Sequence, residues 1–501
     1  MAISYNYSLK MLEVCRVTPF TNSVAPLVEF SLPLTYFDIR WLKFLPAQQI
    51  FSYQLTENES THSFFNSVIL PRLKHSLSLA LSQFLPIVGN IIWPVDTVKP
   101  FILYTPNDDV SLIVAESNSE FNHLLKNEMQ EAVELHPYVP DLAISDAKAA
   151  IIAFQITFFP SQGFSIGISQ HRTMFDGKSN AMFMKSWAHI CNSDMTTLLP
   201  LDLTPSFDRT SIDYPQEFDM LHLNNWVKSN SDQNPNSLNL LGDKRNFENL
   251  VRANFELSRQ DIDKLRQQIV ALLNEEEDAN ANHMHSSTFV LSLAYIVVCI
   301  VNAKMLEEKG KICLTFGVDC RSCFDRPLPT NYFGNCIIEC PMLIDAEAIT
   351  GSGEARKESY TPHRMDFDEE GLERPSVHYL PPPLNEIAFV AKRISERIKE
   401  IETRVTNISI EDEKENILEM KKAKESSDVF IGVSWCPQFE IYRTDFGWGK
   451  PKKIQDVSID TSGEISMIES RNDNGGIEIG LVLRKHEMEM FNSVFINGIT
   501  D

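Results

Sequence analysis

Positive charge is scarce in this chain. Its 501 residues carry 45 lysines and arginines against 68 aspartates and glutamates, a formal net charge of -23. That balance opposes binding to nucleic acid or to an anionic membrane surface, and it means that an anionic ligand has to be met by a local basic patch. Long apolar runs are missing too. The longest, FVLSLAYIVVCIVNA from Phe289 to Ala303, falls short of the ~20 residues that span a bilayer and reads as a buried helix. The opening stretch MAISYNYSLKMLEVCRVTPF does not pair a basic start with an apolar core of roughly 7 to 15 residues, so no secretory signal is expected and the cytosol is the expected compartment. Such a reducing compartment argues against disulfides. Between Cys320, Cys323, Cys336 and Cys340, whose spacing mimics a zinc site, stand bulky aromatics and prolines where a zinc knuckle would want tight glycine turns. They are read as reduced, buried cysteines, and no metal is expected.

What is present is a globular chain, 43% hydrophobic and 10% aromatic, long enough for two domains with sizeable cores. It turns on the stretch SQHRTMFDGKS, Ser169 to Ser179. Before it, AIIAFQITFFPSQGFSIGIS reads as two strands split by the turn formers Pro160 to Gly163. In the second run Phe164, Ile166 and Ile168 alternate with Ser165, Gly167 and Ser169, giving one apolar face and one small, polar face. After Asp176-Gly177, a turn signal, Phe183, Trp187 and Ile190 recur at helical spacing. Strand, turn and helix therefore bring His171, Arg172 and Asp176 to one edge, where a cleft is expected. If the strand stays extended, His171 and Arg172 face opposite ways, and only a bulge would swing His171 round. Gly163 to Gly167 also fits the G-x-S-x-G nucleophile elbow, but that motif needs the strand to end at the serine, and here the strand pattern continues on both sides.

Elsewhere, LPLTYFDIRWLKFLPAQQIFSY (Leu32 to Tyr53) suits a core strand and its flanks, and a helix follows from about Phe65 to Phe84. Residues 206–246 lose hydrophobic periodicity and collect Ser, Asn, Asp and Pro, so they are read as a linker between an N-terminal domain, 1–205, and a C-terminal domain, 247–501. Ser258 and Asp261 mark a helix start. Residues 347–385, rich in charge, Gly and Pro, read as a mobile or disordered insertion. Two compact motifs remain: Tyr332 to Cys336, YFGNC, just after Asp319-Cys320-Arg321, and Asp445 to Gly449, DFGWG, followed by Lys450, Lys452 and Lys453. The lysines form a basic cluster, either solvated surface or a seat for phosphates.

These segments together resemble the BAHD acyltransferases, in particular the branch acting on anthocyanins, flavonoids and other phenolic glycosides. The resemblance rests on the Asp176-Gly177 turn, the Tyr36-Phe37-Asp38-x-x-Trp41 region, YFGNC and DFGWG, and spans nearly the whole chain outside the insertion. It implies an α/β fold of two chloramphenicol-acetyltransferase-like domains with mixed sheets and helices, and an active-site channel at their interface. It implies acyl transfer from malonyl- or hydroxycinnamoyl-coenzyme A to a glycoside hydroxyl, with acyl-coenzyme A as co-substrate, no permanently bound cofactor and a monomeric chain. By the same carry-over, Asp176 is a structural partner of Arg321, Gly177 belongs to the turn, and Asp445, Phe446, Gly447, Trp448 and Gly449 form a loop shaping the cofactor channel. Lys450, Lys452 and Lys453 would meet the phosphates of coenzyme A. One position departs from the family. Four residues before Asp176 the family has a histidine that takes the acceptor's proton; here it is Arg172, with His171 one place earlier. A guanidinium offers donors and charge but accepts no proton. Either another group, His171 included, replaces the base, or the chain is a weak or inactive relative that binds coenzyme A or a phenolic ligand.

Overall fold

Runs of alternating β-branched and aromatic residues assemble, in a computed structural model, into two large mixed sheets beside a four-stranded and a two-stranded antiparallel one. The structure describes residues 9–21, 28–195, 197–212, 214–229, 236–241, 249–275, 286–304, 310–350, 364–367, 373–376, 381–404, 409–434, 439–462, 464–472 and 475–500. The first sheet has the order Leu9–Val17, Val110–Ser117, Ile152–Phe159, Gly163–Gln170, Ala47–Gln54, Lys453–Asp456. The second runs Ile337–Asp345, Lys311–Asp319, Val429–Ser434, Glu464–Glu469, Ile477–Arg484, Leu250–Leu257, Gln130–Glu131. Each sheet thus ends on a strand borrowed from the other half of the chain. The linker expected at 206–246 separates the halves in sequence, but the two lobes interlock through these exchanged edge strands. Within that stretch lies an ordered helix, Glu217–Ser229, while part of SNSDQNPNSLN falls outside the described residues.

The Ile152–Phe159 and Gly163–Gln170 strands form the expected antiparallel hairpin, with Ser161 at φ 63° in its turn. Both strands are buried along their whole length. The small face of the second one has a reason: a Cβ on Gly167 would run into the carbonyl oxygen of Tyr138, and Ser169 Oγ donates to the Pro140 carbonyl. A bulkier face would push that segment off the sheet. Ser165 sits mid-strand and wholly buried, which rules out the nucleophile elbow.

Two large apolar cores follow the lobes, beside a smaller one around Phe121, Tyr138 and Phe159. One surrounds Phe154, Phe183 and Trp187 where the Leu70–Gln83 and Gly177–Asn192 helices pack together. The other surrounds the Thr288–Ala303 helix, which is apolar all round because the Leu384–Arg404 and Lys485–Thr500 helices and the second sheet enclose it. No helix among the described residues is long and apolar enough to cross a membrane. Ser258 and Asp261 cap the Arg259–Glu275 helix reciprocally, at 2.8 Å and 3.2 Å. Cys320, Cys336 and Cys340 are buried thiols, and Cys323 is partly exposed. The insertion expected at 347–385 lies largely outside the described residues, which within it include a helical turn, Glu347–Thr350, a strand pair, Arg364–Phe367 with Glu373–Ser376, and the start of the Leu384–Arg404 helix.

Candidate active site

The site is built on the turn after Gln170. His171 N–H still donates to the Ile151 carbonyl at 2.8 Å, so strand alternation persists through this point. Gln170 and Arg172 consequently face a cavity of about 180 Å³ between the lobes, whereas His171 turns inward and is 1% exposed. Its Nδ1 accepts from Thr173 N–H at 3.3 Å and its Nε2 meets no hydrogen-bond partner among the described residues. Burial pushes its pKa down to about 4. No bulge turns it to the cleft.

A stability prediction follows. Above the ordinary value of 6.5 the ring is neutral in folded and unfolded chains alike. Below it, the unfolded chain binds a proton that the folded ring refuses until about pH 4, so stability drains as pH falls through that window. The loss from this group alone is about 2 kcal/mol between pH 7 and pH 5. Urea midpoints of wild type and His171→Asn at the two pH values measure it: the variant should show a flatter pH dependence, and parallel curves would contradict the assignment.

Asp176 caps the Gly177–Asn192 helix, accepting from Ser179 N–H at 2.9 Å. Its other oxygen accepts from Arg321 Nη2 at 2.7 Å and from Cys336 N–H at 3.2 Å. Arg321 also reaches Asp319 at 3.1 Å and the Gly334 carbonyl at 2.8 Å. With carboxylate and guanidinium 0% and 5% exposed, this is a buried, hydrogen-bonded ion pair joining the lobes. The YFGNC segment closes over the same turn. Asn335 Nδ2 donates to the Arg172 and Thr173 carbonyls at 3.0 Å and 2.8 Å and to Asp38 at 3.2 Å. Gly334 is held at φ +144° with its missing Cβ against the Arg209 guanidinium, so no larger residue fits there. At Gly177 the Phe439 ring lies where a Cβ would stand, so a larger residue would have to displace that ring.

Arg172 crosses the cleft. Its Nε donates to the Leu45 carbonyl at 3.1 Å and its Nη2 to Glu464 of the opposite lobe at 3.3 Å. Besides Arg172 and Glu464, Trp41, Asn335, Ser434, Asp456 and Ser458 line the cavity. Asp456 is buried; its carboxylate accepts from Ser434 Oγ at 2.5 Å, from Ser458 Oγ at 2.6 Å and from Ser458 N–H at 2.9 Å. Burial raises its pKa, and the two serines and the charge of Arg172 only soften that. Asn335, Ser434, Asp456 and Glu464 escape sequence reasoning. Only Asn335 sits in a recognisable motif; the others have no local signal, since what sets them opposite the Arg172 turn is strand pairing, with Glu464 292 positions away.

The DFGWG loop lies apart from the cavity lining. Asp445 accepts from the N–H groups of Gly447 and Gly449 at 2.8 Å and 3.0 Å, and those glycines sit at φ +106° and +90°. Phe446 packs edge-on to Trp187 at 4.8 Å and to Tyr53 at 5.7 Å, and Trp448 meets Phe164 at 5.9 Å. The loop thus anchors the second half of the chain on the first lobe. The lysine cluster needs correction: Lys450 and Lys452 are exposed, but Lys453 is buried, with Nζ on Asn127 at 2.6 Å and Glu478 at 3.2 Å. Being the first residue of a strand, it turns inward where Lys452 turns out, and desolvation lowers its pKa.

Two lobes, each completed by a strand from the other and meeting at a cleft bounded by a buried aspartate–arginine pair, define an acyltransferase architecture. The crystal structure of vinorine synthase superposes with a TM-score of 0.64 over 96% of both chains at 20% identity. The Transferase family model matches residues 17–353 and 384–497, and the chain belongs to that family, the BAHD acyltransferases. The break in the match falls within the expected insertion. Phenolic glucoside malonyltransferase 1 of Arabidopsis thaliana is 34% identical over 98% of both chains. The Arabidopsis thaliana malonyl-CoA:anthocyanidin 5-O-glucoside-6''-O-malonyltransferase is also 34% identical, over 99% of this chain and all of its own.

Proposed function

We propose that the protein transfers an acyl group, malonyl or hydroxycinnamoyl, from its coenzyme A thioester to a hydroxyl of an anthocyanin, flavonoid or other phenolic glycoside. The carrying observation is the interlobe cleft itself, walled by the turn that Asp176, Arg321 and Asn335 hold, in a chain whose full-length relatives are named as malonyltransferases of phenolic and anthocyanidin glucosides. Acyl-coenzyme A is the co-substrate, and the chain works as a cytosolic monomer. Lys450 and Lys452 are the cations offered to its phosphates; at ~3.3 Å per residue, Lys452 stands about 13 Å along the chain from Asp456 in the cleft. Holding thioester and hydroxyl together there removes much of the entropic barrier. Arg172 supplies fixed positive charge for the carbonyl oxygen as it becomes an oxyanion.

Thiol release from malonyl- and coumaroyl-coenzyme A with anthocyanidin glucosides is the direct test: turnover above the protein-free rate is expected. One observation favours a second reading, a relative that binds without catalysis: among the described residues no imidazole lines the cleft. Arg172→His separates the two. Under the transferase reading the variant gains less than tenfold, since wild type already has a proton acceptor; a gain of about 10² to 10⁴ in kcat, the usual worth of a general base, would mark wild type as lacking one.

A further inference from the structure

The cleft contains a carboxylate that nothing so far assigns a role. We infer that Asp456, acting through the hydroxyl of Ser434, accepts the proton of the acceptor hydroxyl in place of the family's histidine. This deepens the transferase reading and rests on it.

Six charged side chains line the cavity. Arg172 accepts no proton. Asp176 is saturated by Arg321, Cys336 N–H and Ser179 N–H. Asp319 is held by the side chain and the N–H of Arg321. Glu464 is the ion-pair partner of Arg172. Glu339, half-buried on the Ile337–Asp345 strand, faces the charge of the Arg40 guanidinium, which it stabilises. Asp456 is different: it is buried, no cation stands within ion-pair distance of its carboxylate among the described residues, and its contacts are hydroxyls and one N–H. Arg252, on the neighbouring sheet, reaches only its backbone carbonyl, through Nη2 at 3.0 Å, while its Nη1 is held by Asp460. The charged groups that act on Asp456 at longer range are therefore Arg172, which favours its ionised form, and Glu464, which opposes it.

Such a carboxylate is a better base than an exposed one, because burial raises its proton affinity. Ser434 provides the path. Its Oγ lies 2.5 Å from Asp456 Oδ2 and itself lines the cavity, so a hydroxyl bound there would donate to Ser434 while Ser434 donates to Asp456. In the transfer, the acceptor oxygen bonds to the thioester carbonyl carbon as its proton passes to Ser434 Oγ and the Ser434 proton passes to Asp456. The adduct then collapses with cleavage of the carbon–sulfur bond, and the departing thiolate recovers the proton by the reverse route. The products are the ester and free coenzyme A, with Arg172 facing the transient oxyanion throughout.

The experiment compares wild type, Asp456→Asn, Ser434→Ala and the double variant Arg172→His/Asp456→Asn, assayed by thiol release from malonyl- and coumaroyl-coenzyme A with anthocyanidin glucosides across pH 5 to 9. Calorimetry with coenzyme A and thermal melting check that each variant folds. Asp456→Asn should lower kcat about 10² to 10⁴-fold with little change in KM, and abolish the acidic limb of the wild-type pH profile; Ser434→Ala should lower kcat while keeping that limb. A histidine at 172 should restore part of the rate lost in Asp456→Asn. If wild type turns over but Asp456→Asn keeps its kcat within about threefold, or its acidic limb is unmoved, the inference fails and the transferase reading stands. If Asp456→Asn does not fold, retention of the full wild-type rate by Ser434→Ala overturns the inference in the same way. If wild type gives no turnover with either donor while binding coenzyme A, both fail together.

Discussion

Arg321→Ala is expected to cost about 3–5 kcal/mol of stability, the penalty for leaving a buried carboxylate without its counter-charge. Asp176 is 0% exposed on this pair, so water does not replace the lost guanidinium. Three further attachments go with it, those to Gly334, Ser179 and Asp319. The damage should not stay local: the Asp176 turn comes from the first lobe and Arg321 from the second, so the variant should loosen the cleft and lose turnover beyond what the unfolded fraction explains. Urea titration of wild type, Arg321→Ala, Asp176→Asn and the double variant measures the effect. The double variant should cost clearly less than the sum of the singles, because removing both charges leaves no orphan. A single-variant loss below about 1 kcal/mol, the range of an exposed pair, would show that water reaches the pair after all.

Phe446→Ala is expected to destabilise by a similar amount, about 3–5 kcal/mol, as the truncation of a fully buried aromatic ring. The ring is 0% exposed and wedged between Trp187 and Tyr53, so its removal opens a cavity between the DFGWG loop and the first lobe. Unlike the previous case, kcat per folded molecule should hold, because no residue of the loop lines the cleft. Thermal melts with active-site titration separate the two quantities. A selective fall in kcat at unchanged melting temperature would place this loop in the chemistry and contradict its role as an anchor.

Much of this was legible in the chain because the signals are local. Period-2 alternation around Phe164 to Ser169 gives a strand, and Asp176-Gly177 gives a helix cap, wherever the segment is placed. The opposite orientation of His171 and Arg172 is of the same kind, since neighbouring residues of an extended strand diverge by geometry alone. Lys450, Lys452 and Lys453 show where locality fails. As a charge run they look solvated, yet pairing of Lys453–Asp456 with Ala47–Gln54 fixes a pleat that sends Lys453 to Glu478.

The borrowed strands mark the same limit at the scale of the lobes. A change of composition reveals where the chain crosses from one half to the other, but no local property of Lys453–Asp456 or Gln130–Glu131 names the sheet each one joins. By itself the amino-acid order determined the α/β character, the turn and the arginine standing where a base is expected. Only folding decided what surrounds that arginine: Glu464 reaches it from 292 positions away, and Asp456 arrives beside Ser434 on a strand donated to the other lobe. Backbone pairing energy depends little on which side chains it carries, so contacts between distant strands are set by the packing of the whole molecule and not by the residues that happen to meet.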